Sequence, residues 1–230
     1  MVLRPPGSGG VVSVPVGVAY AWACVAMTAL VTVLGRRACA RHWGDYRGHL
    51  LYFLFFFLLM GLVPAVIVGT GGGLACVGLT AGRLVPGLLI VAAAAPGVLL
   101  IVLGSLRDPA LRNHYPLSRA VIAMGRGFWA YELVYVLGYY TAWEFTFRGL
   151  LFLPLVGVAG LVPALAIQTA LSTLMHIGSP ESEIWGAVVG GVAFGLVAYF
   201  TGSILYPFIL HAGIGVTHDV LQRRRLRAPA

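Results

Sequence analysis

The sequence contains no lysine and only seven acidic residues, so charged residues make up just 10% of its 230 positions. Hydrophobic residues make up 60%, and the mean hydropathy is +0.93, far above the range of soluble domains. This composition excludes a water-soluble globular protein. The lipid bilayer is therefore the expected surroundings of the chain.

Cysteine is also scarce, since the chain has only Cys24, Cys39 and Cys76. Their odd number and their positions in different segments argue against a disulfide framework. The formal net charge of +8 comes from fifteen arginines that cluster between apolar runs. This charge belongs to membrane-flanking loops, and nucleic acid is not an expected partner.

Long apolar runs are what the sequence has in abundance. A hydrocarbon core of about 30 Å needs about 20 apolar residues in a helix. Seven windows reach or nearly reach this length, which predicts an all-α polytopic membrane bundle. The predicted spans are 11–35, 48–69, 85–105, 129–157, 162–178, 184–200 and 204–221.

The arginine clusters predict the orientation, because such clusters mark cytoplasmic loops. They follow the first, third and seventh spans, and an odd number of spans places all three on one side. The chain is therefore predicted to be an integral membrane protein with its N-terminus outside and its C-terminus in the cytoplasm.

A polar linker divides the predicted spans into two groups. We expect an N-terminal three-span part at 1–105, a cytoplasmic linker at 106–128, a four-span core at 129–221 and a basic tail at 222–230. The acidic residues and arginines within the spans all lie in the four-span core. An intramembrane charge costs at least ~2.5 kcal/mol on insertion scales, so these residues are expected to face the bundle interior and to mark function.

Glu144 and Arg148 are four residues apart, which puts them on one helix face and predicts an ion pair. Tyr140 lies one turn earlier on the same face. His176 lies as far from the turn near Gly160 as Glu144 does, so the two are predicted to share one depth. By the same count His211 lies about two turns away in depth, a mismatch that helix tilt or unequal hairpin height can close, so Glu144, His176 and His211 are expected to converge. Asp219 is expected nearer the cytoplasmic end, on roughly the same face as His211.

Three segments together resemble the CAAX-prenyl-protease and bacteriocin-processing (CPBP or Abi) family of glutamic intramembrane endopeptidases. The first is Glu144-x3-Arg148-Gly149, the second is the histidine of "HIGSPESE", and the third is "GSILYPFILHAGIG". The resemblance covers roughly residues 125–220. It implies that a glutamate activates water, while two histidines orient that water and stabilise the oxyanion.

The resemblance assigns Glu144, His176 and His211 as catalytic residues, with Arg148, Asp219 and Tyr140 in support. Three positions depart from the family pattern. Trp143 stands where the first of two adjacent glutamates is usual, Ser172 where a phenylalanine is usual, and Gly215 where an asparagine or a similar polar residue is usual.

The implied function is cleavage of a membrane-associated peptide or protein at a leader, a sorting signal or a CAAX-like C-terminus. No cofactor is expected, and the sequence does not indicate an oligomeric state. The tryptophan variant of the first motif and the all-arginine composition favour a bacterial inner membrane.

Two other functions also fit these residues. In the first, Glu144, His176 and His211 bind zinc in a metal-dependent intramembrane protease, since two histidines and a carboxylate suit that ion. In the second, the chain is a non-catalytic immunity or scaffold protein, which the missing first glutamate and missing asparagine favour.

Overall fold

The computed structural model describes residues 13–227, and within this range the chain is helical and contains no strand. Residues 11 and 12 of the first predicted span and 228–230 of the basic tail lie outside the described residues. The helices are α1 (Val14–Thr32), α2 (Arg36–Trp43), α3 (Asp45–Gly69), α4 (Leu84–Ser105), α5 (Pro109–His114), α6 (Arg126–Ala159), α7 (Leu161–Leu174), α8 (Glu181–Thr201) and α9 (Leu205–Arg227).

The all-helical membrane fold predicted from composition is confirmed, whereas the count of seven spans is not. Five of the described helices, namely α1, α3, α4, α6 and α8, are long and apolar enough to cross a membrane. Helix α7 has 14 residues and is about 21 Å long, shorter than the hydrocarbon core. Helix α9 has 23 residues, but its last turn carries three arginines.

The two longest helices are irregular where prolines and π-helical turns interrupt the α-helical hydrogen bonding. In α3 a π segment, Phe57–Leu62, precedes Pro64, which lies in the first turn of the following α-helical stretch. In α6 two π segments, Tyr135–Tyr140 and Phe145–Leu150, flank the short α-helical stretch that contains Glu144. Such π segments are frequent at functional sites because they redirect the side chains that follow.

Aromatic packing between α3 and α6 forms the largest core cluster. Phe53 stacks on Tyr135 with ring centroids 4.5 Å apart, and Phe56 stacks on Trp143 at 5.7 Å. Aromatic pairs in these arrangements stabilise by about 0.5–1.5 kcal/mol beyond the area they bury. This packing fixes α6, and with it Glu144, against the N-terminal part of the chain.

The loops that carry the arginine clusters meet at one end of the bundle, which we call the arginine-rich end. Arg36 Nη1 lies 3.1 Å from His114 Nε2, joining the loop after α1 to the linker after α4. Asp45 accepts a hydrogen bond of 2.8 Å from Ser118, and Arg225 of α9 donates to the Leu106 carbonyl at 3.1 Å.

The opposite end is closed by the turn between α8 and α9. The backbone N–H of Ile204 donates to the Gly78 carbonyl at 3.1 Å, and the Tyr206 hydroxyl donates to the Ala81 carbonyl at 2.6 Å. Helices α1, α3 and α4 therefore each run between the two ends, as the arginine distribution predicted.

This arrangement predicts the result of cysteine labelling with a membrane-impermeant reagent, in a background where the three native cysteines are replaced by alanine. Arg41→Cys and Arg107→Cys, both exposed at the arginine-rich end, should be labelled from the same side of the membrane. Thr70→Cys, exposed at the other end of α3, should be labelled only from the opposite side. Labelling of Arg41→Cys and Arg107→Cys from different sides contradicts the arrangement.

Candidate functional site

Glu144 lies in the middle of α6 with no solvent-exposed surface. Its Oε1 accepts a hydrogen bond of 2.6 Å from His211 Nδ1 and lies 3.3 Å from Arg148 Nη1. The predicted ion pair with Arg148 is present in the structure. Arg148 is itself buried, and its guanidinium also lies over the ring of Phe194 at 5.6 Å.

His211 extends from α9 and connects the buried carboxylate to a cavity. Its side chain is 22% exposed and forms part of the cavity wall. Because Nδ1 is bonded to Glu144, Nε2 is the ring nitrogen that is left for a molecule in the cavity. Glu144 and His211 are thus in direct contact, as the expected convergence requires, and α6 and α9 close the two-turn difference in depth obtained by counting residues from the turns.

The cavity has a volume of about 370 Å³ and lies toward the arginine-rich end. Glu144 does not line it, whereas the preceding residue, Trp143, does. Its polar lining comes from five helices and two connecting segments and consists mainly of Arg36, Arg37, Arg41, His114, Tyr115, Tyr139, Tyr140, His176, Glu183 and His211. Pockets that bind small-molecule ligands fall in this size range, about 300–1,000 Å³.

His176 lies in the turn that follows α7 and reaches the cavity from the other side of Trp143. Its Nδ1 lies 2.9 Å from the Ser172 carbonyl, which can only accept, so this nitrogen carries the hydrogen. The edge of the Trp143 ring packs against it, with centroids 5.0 Å apart. The structure thus places His176 and His211 on one cavity, with Trp143 between them and Glu144 behind His211.

Glu183 also lines this cavity, although it is not among the candidate residues identified from the sequence. Its side chain is only 14% exposed. Oε1 accepts a hydrogen bond of 2.5 Å from the Tyr115 hydroxyl and lies 3.9 Å from His176 Nε2. Oε2 lies 3.5 Å from His114 Nε2. The available signal was that Glu183 falls seven residues after His176, in the first turn of the next helix.

The linker residues beside Glu183 do not neutralise it. Burial, followed by the charges of Arg36 and Arg37, lowers the pKa of His114 to about 4, so this imidazole is neutral near pH 7. Burial and the neighbouring Glu183 raise the pKa of the Tyr115 hydroxyl well above its usual range. The Tyr115 hydroxyl therefore stays protonated and is the hydrogen-bond donor to Glu183.

Tyr140 occupies the space beside Gly215 of α9. A Cβ added to Gly215 would lie 1.8 Å from the Tyr140 hydroxyl oxygen and 2.7 Å from the ring carbon that carries it. The Tyr140 ring also packs edge-on against His211, with centroids 4.8 Å apart. The glycine that replaces the usual asparagine therefore makes room for a hydroxyl that approaches from α6.

Asp219, which the sequence assigned to a supporting role, does not line the cavity. It is buried beside His218, whose Nδ1 lies 3.4 Å from Asp219 Oδ1. Any effect of Asp219 on the site must pass through the packing of α9 against α6.

The part of the chain that the structure describes contains no preformed metal site. Among residues 13–227, no group of three or more histidine, cysteine, aspartate or glutamate side chains is arranged to hold a metal ion. The zinc alternative for Glu144, His176 and His211 thus gains no support from the geometry.

Residues 125–217 match the family model described as type II CAAX prenyl endopeptidase Rce1-like. The matched segment runs from the start of α6 into α9, and it contains all three motif segments, the Glu144–His211 contact and Glu183. The family resemblance seen in the sequence is confirmed over this segment. No curated protein and no solved structure matches the chain. The match supports an intramembrane protease of the CAAX type in general terms.

The Tyr140 contact predicts that Gly215→Ala destabilises the protein, because its methyl group must displace a buried tyrosine. Overpacking of this kind costs about 1–3 kcal/mol. Gly213→Ala is the matched control, since a Cβ at that position of the same helix meets nothing within 4 Å. Thermal unfolding in detergent should show a lower Tm for Gly215→Ala only, and equal Tm values for the two variants contradict the packing described.

Arg148→Gln should also destabilise the protein, because it leaves the Glu144 carboxylate buried without its cationic partner. Breaking a buried pair from one side typically costs about 3–5 kcal/mol. Arg224→Gln, an exposed substitution in the last turn of α9, serves as the control. The measurement is the Tm of the purified proteins in detergent, and an unchanged Tm for Arg148→Gln is the contrary result.

Proposed function

We propose that the protein is an intramembrane endopeptidase that cleaves a membrane-associated peptide or protein with glutamate-activated water. The observation that carries the proposal is the 2.6 Å contact between Glu144 and His211 at the wall of a cavity, within the segment that matches the family. The substrate would present a leader, a sorting signal or a CAAX-like C-terminus.

Glu144 acts on the reaction through His211 in this proposal, since its own carboxylate is fully buried. The bond from His211 Nδ1 to Glu144 fixes the tautomer and the orientation of the ring, leaving Nε2 toward the cavity. A carboxylate behind an imidazole also stabilises the positive charge when the ring carries a second proton. Nε2 can then contact the substrate carbonyl oxygen or the attacking water.

His176 provides a second ring nitrogen on the same cavity. Since Nδ1 donates to the Ser172 carbonyl, Nε2 of the neutral ring is an acceptor and can hold a water molecule. Arg148 balances the charge of Glu144, and the Tyr140 hydroxyl offers a hydrogen-bond donor beside His211. Asp219 is assigned an indirect, structural role in α9.

The substrate is proposed to enter from the arginine-rich end, where Arg36, Arg37 and Arg41 line the cavity. Clustered arginines at this end favour a cytoplasmic location for it. They also favour a substrate segment that carries negative charge close to the cleavage point. The tryptophan variant of the first motif and the all-arginine composition favour a bacterial inner membrane.

A non-catalytic role as an immunity or scaffold protein is the second candidate. It is favoured by the tryptophan at position 143, which removes the carboxylate that the family usually places there, and by the complete burial of Glu144. The test below separates the two candidates, because only the peptidase produces new peptide termini.

Glu144→Gln should lower turnover by about 10²-fold or more, because the amide gives His211 no charged acceptor. Membranes from deletion cells that express wild-type protein or the variant would first be compared by terminal proteomics, which identifies the cleaved peptide. Turnover of that peptide is then measured with purified protein in the presence of a chelator.

Glu181→Gln, an exposed carboxylate outside the cavity, is the control and should retain wild-type turnover. Near wild-type cleavage by Glu144→Gln would remove Glu144 from the mechanism. Identical termini in deletion and wild-type membranes would favour the scaffold, and loss of cleavage on adding chelator would favour the zinc alternative.

A further inference from the structure

The carboxylate that faces the cavity belongs to Glu183, not to Glu144. Glu183 lines the cavity with a 14% exposed side chain, whereas Glu144 is fully buried behind His211. Direct proton transfer from water requires hydrogen-bond contact between the water and the accepting oxygen. Of these two glutamates, only Glu183 can make that contact in the observed arrangement.

Glu183 and His176 are spaced to share one water molecule. The 3.9 Å between Glu183 Oε1 and His176 Nε2 is too long for a direct hydrogen bond. A water oxygen at about 2.8 Å from each atom fits that separation, and water commonly bridges polar groups at such distances. The His176 ring cannot rotate freely to close the gap, because Nδ1 is bonded to Ser172 and the Trp143 edge packs on the ring.

The carboxylate of Glu183 can accept further hydrogen bonds. Tyr115 donates to Oε1, while Oε2 has no hydrogen-bond partner within residues 13–227 and is buried. His114 cannot donate to Oε2 from Nε2 while that nitrogen accepts from Arg36 at 3.1 Å. A buried carboxylate oxygen without a donor carries a cost that a bound water or substrate group would relieve.

Because position 143 holds a tryptophan, a carboxylate beside His176 has to come from another part of the chain. The Trp143 indole contributes to the same cavity and contacts the His176 ring, in the position where the family pattern has a first glutamate. Glu183 reaches the other side of His176 from the first turn of α8. The histidine therefore keeps a carboxylate neighbour, supplied by a different helix.

We propose that Glu183 is the proton acceptor that activates the hydrolytic water, with His176 holding the same water molecule. This inference rests on the proposed peptidase function. The water oxygen forms a bond to the carbonyl carbon, the π bond of the carbonyl breaks and its electron pair moves to the carbonyl oxygen, and one water proton moves to the Glu183 carboxylate. When the C–N bond breaks, the C=O bond re-forms and that proton moves to the leaving nitrogen, so the carboxylate is restored and the water is the only co-reactant.

A purely structural role for Glu183 is the competing explanation. Acidic residues in the first turn of a helix interact favourably with the helix dipole, and the Tyr115 bond ties the linker to α8. Glu181 shares that first turn but is exposed and does not line the cavity. Glu181→Gln is therefore the matched control for the helix-terminal effect.

The test measures kcat, KM and Tm for Glu183→Gln, Glu183→Asp, Tyr115→Phe and Glu181→Gln, using the peptide identified by terminal proteomics. Loss of the proton acceptor should lower kcat of Glu183→Gln by about 10²-fold or more, with KM changed less than about threefold. Glu183→Asp keeps a carboxylate and should recover part of this loss. Glu181→Gln should match wild type.

Tyr115→Phe separates chemistry from structure, because it breaks the hydrogen bond to Glu183 and keeps the carboxylate. It should retain more than about a tenth of wild-type kcat, since the proton acceptor is still present. If Tyr115→Phe loses as much activity as Glu183→Gln, or if Glu183→Asp recovers nothing, Glu183 has a structural role and the proposal fails.

The outcomes also distinguish this proposal from the proposed function. Loss of cleavage in Glu144→Gln with near wild-type kcat in Glu183→Gln refutes Glu183 as the proton acceptor and leaves the peptidase in place. Absence of any cleavage product from the wild-type protein refutes both. A large loss of kcat in both variants, with an unchanged Tm for Glu183→Gln, supports the two assignments together.

Discussion

The bundle depends on the neutralisation of one buried carboxylate within a largely apolar helix. Glu144 has no exposed surface, and the cost of placing a charge in hydrocarbon is met by Arg148 one turn later and by His211 from α9. Because one oxygen contacts both partners, α6 and α9 must approach each other at this level. The small residue at position 215 and the packing of Tyr140 then follow from that close approach.

The same requirement accounts for the irregular geometry of α6. Two π segments flank Glu144, and the aromatic rings of α3 hold the helix from the other side. A regular α-helix would advance each side chain by a fixed rotation, whereas π turns change the direction in which the following residues point. Trp143 and Glu144 themselves lie in the regular α-helical stretch between the two π segments, where a rotation of about 100° per residue lets Trp143 face the cavity while Glu144 is fully buried behind His211.

The sequence was sufficient to predict the helical membrane class and the Glu144–Arg148 ion pair and to recognise the family resemblance. These depend on composition, on the four-residue spacing and on ordered motifs, which are local properties of the chain. Counting residues from the turns placed Glu144 and His211 about two turns apart in depth, although the two side chains are in contact, because such counting ignores helix tilt and the short length of α7. Glu183 was missed because its burial comes from Tyr115 and His114, which are distant in sequence.

The two glutamates differ in what their surroundings allow them to do. Glu144 contacts a guanidinium and an imidazole and does not line the cavity, which suits a group that orients another. Glu183 has one neutral donor, one neutral histidine and an unbonded oxygen at the cavity, which suits a group that exchanges protons. An intramembrane site that hydrolyses peptides needs both properties, and a strongly paired carboxylate is a weak base. Separating them onto α6 and α8 lets one carboxylate stabilise the fold without weakening the other as a base.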